Sequence, residues 1–219
     1  MALVTLKEIL KEAEKGRYAV GAFNTNNMEI VQAIMETAEE EKSPVILQAS
    51  QGALRYAGIE YIVSLVKTAA ELTSVPVALH LDHGTSFDQT MLCIRKGFSS
   101  VMFDGSKLPL AENIKATAEV GKVARAVGVA LEGELGKIGG TEDDISVDEK
   151  DAFMTDPDEA RQFVTETGVD ALAVAIGTAH GPYKGEPKLD FDRLKAIRER
   201  VDTSLVLHGA SGVPGDSIH

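Results

Sequence analysis

Short apolar runs and amphipathic segments alternate along the whole chain, and this alternation limits the folds that it can adopt. Seven apolar runs are typical of buried strands, and each is followed by a helical pattern or a helix start. Strict alternation of strand and helix implies a parallel sheet with right-handed crossovers. The predicted strands are Tyr18–Thr25, Pro44–Ser50, Val75–His83, Ser100–Ser106, Val129–Leu135, Ala171–Gly177 and Ser204–Leu207.

Two α/β architectures satisfy this alternation, a TIM (β/α)8 barrel and a doubly wound open sheet. Polar residues lie at or close to the ends of all seven predicted strands, whereas a doubly wound sheet concentrates them near its switch point. No G-x-G-x-x-G or P-loop pattern follows a strand. A barrel typically takes about 250 residues, and this chain has 219. We therefore predict seven of the eight βα units of a barrel, in a single domain over residues 1–219.

The charge balance narrows the class of partner. With 34 acidic and 22 basic residues the net charge is −12, which argues against nucleic acids and anionic membranes, because both are bound mainly through basic patches. No apolar run approaches the roughly 20 residues that span a bilayer, and we expect no signal peptide. Cys93 is the only cysteine, which fits a cytoplasmic protein. An anionic ligand would need local devices such as backbone N–H groups or a metal.

Three of the five histidines, His83, His180 and His208, stand at predicted strand ends, and each is followed directly by glycine. The carboxyl ends of parallel strands share one rim in a barrel, so three imidazoles there would be able to surround a single ion, as in many catalytic zinc sites. The alternative is three unrelated polar residues that cap strands. The repeated His-Gly pattern favours the metal site. His80 lies inside its strand and is more simply a packed histidine or one that supports a ligand.

Carboxylates accompany these histidines. Asp82 adjoins His83 and is the natural acid or base beside a metal, although an aspartate at a strand end also forms turns and helix caps. Asp104 and Glu134 lie at the ends of the fourth and fifth strands and would offer an alternative or second metal position. Glu132 is expected to be buried with an ion-pair partner.

Two glycine-rich segments complete the candidate site. Residues Gly136–Asp151 combine glycines with acidic residues, a composition that suits either a lid over the site or a solvated surface loop. The segment Gly209–Gly212 (Gly-Ala-Ser-Gly) would present backbone N–H groups and the Ser211 hydroxyl to a phosphate, as loops after the seventh strand often do in barrels. Ser211 is not expected to be a nucleophile, because the segment does not match G-x-S-x-G.

Six motifs, in order, resemble the class II, metal-dependent fructose-1,6-bisphosphate aldolases. The resemblance runs from Thr5 to the last residue, and the segments between the motifs are similar to those of the class IIB branch. The motifs are Val-Gly-Ala-Phe-Asn-Thr (20–25), His-Leu-Asp-His-Gly (80–84), Val-Met-Phe-Asp-Gly-Ser (101–106), Leu-Glu-Gly-Glu-Leu-Gly (131–136), Gly-Thr-Ala-His-Gly-Pro-Tyr-Lys-Gly (177–185) and Leu-His-Gly-Ala-Ser-Gly (207–212).

The resemblance implies a role for each residue of the candidate site. It implies that the three rim histidines bind the catalytic zinc and that Asp82 exchanges the proton of the hydroxyl at the cleaved bond. The full implied set is His83, His180 and His208 for zinc, Asp104 and Glu134 for a second metal, Asp82 and Glu142 for proton transfer, Gly181, Gly209, Ala210 and Ser211 around the dihydroxyacetone phosphate part, and Asn24 and Ser50 near the aldehyde part.

The implied reaction is the reversible cleavage of fructose 1,6-bisphosphate to dihydroxyacetone phosphate and glyceraldehyde 3-phosphate, a step of glycolysis and gluconeogenesis. Zinc would act as a Lewis acid. No lysine lies inside an apolar strand, which argues against the aldolase class that forms a Schiff base. Tagatose 1,6-bisphosphate is an alternative substrate, because the two sugars differ in configuration at one carbon. Histidine ligands also suit cobalt, iron or manganese, and a monovalent cation is a further expectation.

The resemblance also implies properties of the whole protein. The expected state is a cytoplasmic homodimer or homotetramer that binds a sugar bisphosphate and neither nucleic acid nor membrane. The family continues with an eighth strand and further helices, so we expect this chain to be truncated at its C-terminus and its first and seventh strands to have unpaired edges. A second hypothesis follows, that the chain is a non-catalytic fragment with a metal site but an incomplete phosphate site.

Overall fold

Helices and strands alternate in the folded chain as the sequence predicts. A computed structural model of the protein describes residues 3–142, 145–147, 153–183 and 185–218; for residues 142 and 145–147 it describes the backbone alone. The helices are α1 Leu6–Gly16, α2 Met28–Glu40, α3 Gln51–Ala57, α4 Ile59–Leu72, α5 Phe87–Lys96, α6 Leu110–Ala126, α7 Pro157–Thr167, α8 Phe191–Arg198 and α9 Gly215–Ile218, with a 3-10 helix at Ala210–Gly212.

All seven predicted strands are present, and they form one sheet. The described strands are β1 Gly21–Asn24, β2 Val45–Ala49, β3 Val77–Gly84, β4 Ser100–Phe103, β5 Ala130–Leu135, β6 Gly139–Glu142, β7 Ile145–Val147, β8 Ala171–Val174, β9 Ala179–His180 and β10 Ser204–Val206. The seven-stranded sheet has the order β1-β2-β3-β4-β5-β8-β10, and the pairs β1–β2, β2–β3, β3–β4 and β8–β10 are parallel. The first and seventh predicted strands stand at its two ends, and all four residues of β1 are exposed.

Side chains that cap the helices explain where several of them begin. Thr5 accepts a hydrogen bond from the backbone N–H of Glu8, whose carboxylate accepts one from the N–H of Thr5, so α1 opens with a capping box. Asp156 caps α7 by accepting from two backbone N–H groups, and Pro157 occupies the first helical position. Ser86 caps α5 by accepting a hydrogen bond from the backbone N–H of Gln89. These local bonds fix the points at which the chain turns back from strand to helix.

The chain divides into two compact units, and both contain buried apolar side chains. The first comprises Met1–Phe103 and Val120–Glu132, and the second comprises Asp104–Glu119 and Gly133–His219. In the first unit β2 and β3 are buried along their whole length, as is usual for strands covered on both faces. In the second unit Phe163, Leu172 and Ile197 are fully buried.

A smaller sheet of three strands, all in the second unit, was not predicted. Its order is β7-β6-β9; β6 pairs antiparallel with β7 and parallel with β9, with Gly140 opposite His180. The interpretation of Gly136–Asp151 as a loop throughout is therefore wrong, because β6 and β7 lie within it. Residues 143–144 and 148–151 of that segment lie outside the described residues, and its proposed function as a lid stays a prediction.

Cys93 lies in the core, as expected. Its side chain is buried within α5, and burial raises the pKa of the thiol to about 12. Across the described part of the chain, no helix has both the length and the apolar character needed to cross a membrane.

Candidate metal centre and active site

An irregular end to β3 brings two consecutive polar side chains close together. Successive side chains of a regular strand point to opposite faces. Here His83 has a left-handed backbone, with φ of 48°, and the register between β3 and β4 shifts between Leu81 and Gly84. Nε2 of His83 consequently lies 3.9 Å from Oδ1 of Asp82, with both side chains almost completely buried. The irregular backbone therefore places the Asp82 carboxylate and the His83 imidazole beside each other, where both can act on one ligand.

A glutamine at the start of α3 holds this unusual backbone in place. Nε2 of Gln51 donates to the carbonyl oxygen of His83 at 2.7 Å and to the hydroxyl of Thr85 at 3.1 Å. The N–H of His83 points towards the sulfur of Met102, at 3.4 Å. Left-handed backbone is uncommon for residues other than glycine. These contacts therefore offset a conformation that His83 would seldom adopt alone.

Two amides orient the carboxylate of Asp82. Nδ2 of Asn24 donates to Oδ2 of Asp82 at 2.7 Å, and Nε2 of Gln48 donates to Oδ1 of Asn24 at 2.9 Å. The three residues lie on β1, β2 and β3, which are neighbours in the sheet. The amides fix one carboxylate oxygen, and the other faces His83. Asp82 is thus held in one orientation.

His80, two residues before Asp82 on β3, belongs to a buried polar network. Its Nδ1 lies 2.7 Å from the hydroxyl of Ser100, and its Nε2 lies 3.4 Å from Oε2 of Glu132. The side chains of His80 and Glu132 are both almost fully buried. This confirms that Glu132 is buried beside a titratable partner and that His80 is packed in the core. That His80 also supports a metal ligand stays a prediction.

In the second unit, two histidines approach each other closely. His180 ends β9 and His208 follows β10; both are buried. Their rings meet edge to face, with centroids 5.9 Å apart and planes at 82°, and ring nitrogens lie within 4.8 Å of one another. Two protonated imidazoles at this distance would repel each other, whereas two neutral ones would suit a shared divalent ion. The donor set therefore fits a metal.

A second cluster in this unit consists of two carboxylates. Oxygens of Asp104 and Glu134 lie within 4.8 Å of each other. Oδ1 of Asp104 accepts from the N–H of Ser106 at 3.0 Å, and the carbonyl of Glu134 accepts from Nδ2 of Asn113 at 2.9 Å. Like charges this close are unfavourable unless a cation or a proton lies with them. The pair offers carboxylate oxygens of the kind that hard divalent ions bind.

The predicted phosphate segment forms a tight turn after His208. Gly209 has φ of 72° and leads into the 3-10 helix that contains Ala210 and Ser211, while Gly181 has φ of 76° just after β9. Ser211 and Gly181 are exposed. The segment thus offers accessible backbone to a ligand, and its binding of phosphate stays a prediction.

Two further predicted residues have contacts of a different kind. Ser50 accepts a hydrogen bond from the N–H of Ala53 and so caps α3, a helix that the sequence analysis missed. The backbone of Glu142 ends β6, two residues beyond the pairing of Gly140 with His180. The side chain of Glu142 lies outside the described residues. The proposed roles of both residues remain untested.

Several residues of the site were not foreseen. Gln48 and Gln51 support Asp82 and His83, Asn113 supports Glu134, and Tyr183 contacts the segments around His180 and His208. Gln48 was visible in the sequence, since it is a polar residue near the end of an otherwise apolar strand. Gln51 and Tyr183 follow strands by two or three residues, and Asn113 lies in the first turn of α6. No spacing in the sequence distinguishes these three from surface polar residues.

The chain is similar to known proteins over nearly its whole length. The family described as "Fructose-bisphosphate aldolase class-II" matches residues 4–219. The fructose-bisphosphate aldolases of Thermus caldophilus and Geobacillus stearothermophilus are each 51% identical to it, over 99% and 100% of this chain and 71% and 76% of their own lengths. The crystal structure of the YdjI aldolase from Escherichia coli K12 is 35% identical, with a TM-score of 0.87 over 98% of this chain and 76% of that one. The predicted fold class, a (β/α) barrel of which seven units are present, is confirmed.

Proposed function

The chain belongs to the class-II fructose-bisphosphate aldolase family, and from this premise we propose how its own residues divide the chemistry. Membership confirms the predicted enzyme class, a carbon–carbon lyase, and the predicted function as a fructose-bisphosphate aldolase. The observation that carries the proposal is the buried Asp82 carboxylate, oriented by Asn24 and in contact with His83.

His83, His180 and His208 are the proposed ligands of a catalytic divalent ion, with zinc as the expected metal. The closeness of the His180 and His208 ring nitrogens supports this set. His83 ends a strand of the same sheet as β10, and carboxyl ends of parallel barrel strands share one rim. A zinc ion held there would supply a Lewis acid that stabilises negative charge on the substrate's carbonyl and hydroxyl oxygens. Asp104 and Glu134 are the proposed ligands of a second cation.

Asp82 is the proposed base for cleavage. The proton of the C4 hydroxyl passes to Asp82, the bond between C3 and C4 breaks, and its electron pair remains on C3 of the enediolate. C4 leaves as the aldehyde carbon of glyceraldehyde 3-phosphate. Asn24, itself held by Gln48, fixes one oxygen of Asp82 before the substrate arrives, and this orientation of the carboxylate favours proton transfer.

Glu142 is the proposed acid that delivers a proton to C3 and so releases dihydroxyacetone phosphate. Its backbone is two residues from the point where β6 pairs with His180, which supports a position near the metal ligands. Gly181, Gly209, Ala210 and Ser211 are proposed to bind the phosphate of this product through backbone N–H groups and a hydroxyl. Asn24 and Ser50 are proposed to lie near the aldehyde part of the substrate.

Asp82→Asn tests the proton transfer. The amide of asparagine still accepts from Asn24 but cannot take a proton, so kcat should fall by about 100- to 10,000-fold with the fold unchanged. Asp88→Asn, at an exposed position of α5, is the matched control and should keep wild-type activity. Equal activity of Asp82→Asn and the wild-type protein would contradict the assigned role.

A paired assay tests metal and substrate together. Cleavage of fructose 1,6-bisphosphate and of tagatose 1,6-bisphosphate is measured before and after exhaustive chelation, and after zinc is restored. We expect cleavage of the fructose sugar, its loss on chelation and its recovery with zinc. Activity that survives complete metal removal would contradict the proposal. Faster cleavage of the tagatose sugar would assign the chain to the alternative substrate.

We also propose that the protein is a single-domain, cytoplasmic homodimer or homotetramer. Its low cysteine content supports a reducing compartment. Analytical ultracentrifugation of the purified chain would distinguish these assemblies from a monomer. A chain that stays monomeric at the concentration of the activity assay would contradict the proposed oligomeric state.

A further inference from the structure

Tyr183 connects the two segments that carry His180 and His208. Its hydroxyl accepts a hydrogen bond from the backbone N–H of Ala179 at 2.9 Å and donates one to the carbonyl oxygen of Gly209 at 3.0 Å. Ala179 immediately precedes His180, and Gly209 immediately follows His208. One hydroxyl therefore bridges the backbone neighbours of both histidines.

The two segments touch directly at this bridge. A Cβ on Gly209 would lie 2.5 Å from the carbonyl oxygen of Ala179 and 2.8 Å from its carbonyl carbon, so no side chain fits between them. The bridge thus stands at a point of close backbone approach. At this point, a small shift of either segment would change the distance between the imidazoles of His180 and His208.

The ring of Tyr183 covers the turn after His208. A Cβ on Gly212 would lie 2.5 Å from Cδ2 of this ring, which places the ring in close contact with the last residue of the 3-10 helix. Packing of the ring alone would be served equally well by phenylalanine. The hydroxyl is the part that links the histidine segments, because it uses both its donor and its acceptor on backbone groups.

We propose that Tyr183 is a positioning residue that sets the separation of His180 and His208 for a shared divalent ion. The inference rests on the proposed metal site, but it concerns binding of the metal and not the cleavage step. Groups that orient metal ligands through hydrogen bonds typically change metal affinity by 10- to 100-fold when removed. In this case the bonds go to the backbone on either side of the ligands, so the hydroxyl orients the imidazoles through their main chain.

Tyr183→Phe removes only the hydroxyl and keeps the ring over Gly212. Zinc affinity of the metal-free protein is measured by competition with a chromogenic chelator, and the visible spectrum of the cobalt-loaded protein reports ligand geometry. We expect the zinc dissociation constant to rise about tenfold or more and the cobalt spectrum to change. Cleavage activity at limiting zinc should fall and should recover when zinc is in excess. Tyr56→Phe is the matched control, since Tyr56 is 75% exposed, and it should leave all three measurements unchanged.

The outcomes separate this inference from the proposed function. A wild-type dissociation constant and cobalt spectrum in Tyr183→Phe would overturn the inference, even if the protein is an active aldolase. A lowered melting temperature with unchanged zinc affinity would likewise overturn it, because the hydroxyl would then serve the fold alone. Weakened zinc binding in a protein that cleaves neither sugar bisphosphate would support the inference and contradict the proposed function.

Discussion

Gly209 and Gly128 have almost the same φ angle but different surroundings, and they form a matched pair for mutation. Their φ angles are 72° and 73°. Gly128 has no atom within 4 Å of an added Cβ, so Gly128→Ala should cost only the strain of left-handed backbone, about 1 to 2 kcal/mol. Gly209→Ala adds a contact of 2.5 Å with the carbonyl of Ala179 and should cost more. Urea unfolding measures both losses.

Equal losses in the two variants would show that the segment around Ala179 moves away at little cost. The close approach of Gly209 and Ala179 would then be too soft to hold His208 relative to His180. A larger loss in Gly209→Ala, together with weaker zinc binding in that variant alone, is the expected result.

Individual residues of the site were predictable where a chemical type stood at a strand end. Asp82 and His83 lie at the end of a long apolar strand, and this placement made them candidates for the site. The left-handed backbone of His83 was not predictable, because that conformation is uncommon for any residue other than glycine and the supporting Gln51 lies on a different element. Tyr183 was missed for a related reason: its partners, Ala179 and Gly209, are backbone groups, and backbone groups leave no signal in a sequence.

At the scale of elements, an acidic residue joins the end of α2 to the connection between α4 and β3. The carboxylate of Glu39 accepts hydrogen bonds from the hydroxyls of Ser74 and Thr73 and from the backbone N–H of Ser74. The Ser74 hydroxyl, then the Thr73 hydroxyl and the Ser74 N–H, lower the pKa of Glu39 from 4.5 to about 2. Because the folded pKa is the lower one, this contribution to stability is present above about pH 4.5 and is lost as the pH falls towards 2.

Glu39→Gln should therefore lower the free energy of unfolding at pH 7 and have a smaller effect at pH 3. The measurement is urea unfolding of the variant and the wild-type protein at both pH values. Glu40→Gln is the control, because Glu40 is the next residue of the same helix and is also exposed. A difference between Glu39→Gln and the wild-type protein that is the same at both pH values would show that ionised Glu39 does not provide this stabilisation.

Periodicity predicted the elements of the large sheet and missed those of the small one. The strands of the large sheet are apolar runs, because strands that are buried on both faces need apolar residues. In β6 the residues are Gly-Gly-Thr-Glu, of which only threonine favours a strand, and β6 forms through backbone pairing with β7 and β9. The helix α3 was missed because its seven residues are too few to show a helical period, although its cap, Ser50, was noted for another reason.

For the whole molecule, the net charge of −12 constrains how an anionic sugar bisphosphate would bind. The overall field opposes such a ligand, so binding must depend on short-range groups. The described structure offers the glycine turn at Gly209–Gly212 and the histidine pair, and the carboxylates Asp104 and Glu134 would require a cation to become compatible with an anion. Metal binding is thus expected to be a precondition of substrate binding.

Zinc should therefore stabilise the whole protein against unfolding. The proposed ligands, His83, His180 and His208, are far apart in sequence, so an unfolded chain would bind the ion much more weakly than the folded one. A ligand that binds only the folded state at 100 times its dissociation constant adds about 2.7 kcal/mol of stability. Urea or thermal unfolding of the metal-free protein, with and without zinc, should show a gain of this order. His83→Ala should lose most of it, and Asp88→Asn should retain it. If zinc stabilises His83→Ala as much as the wild-type protein, His83 is not a ligand and the proposed metal site is wrong.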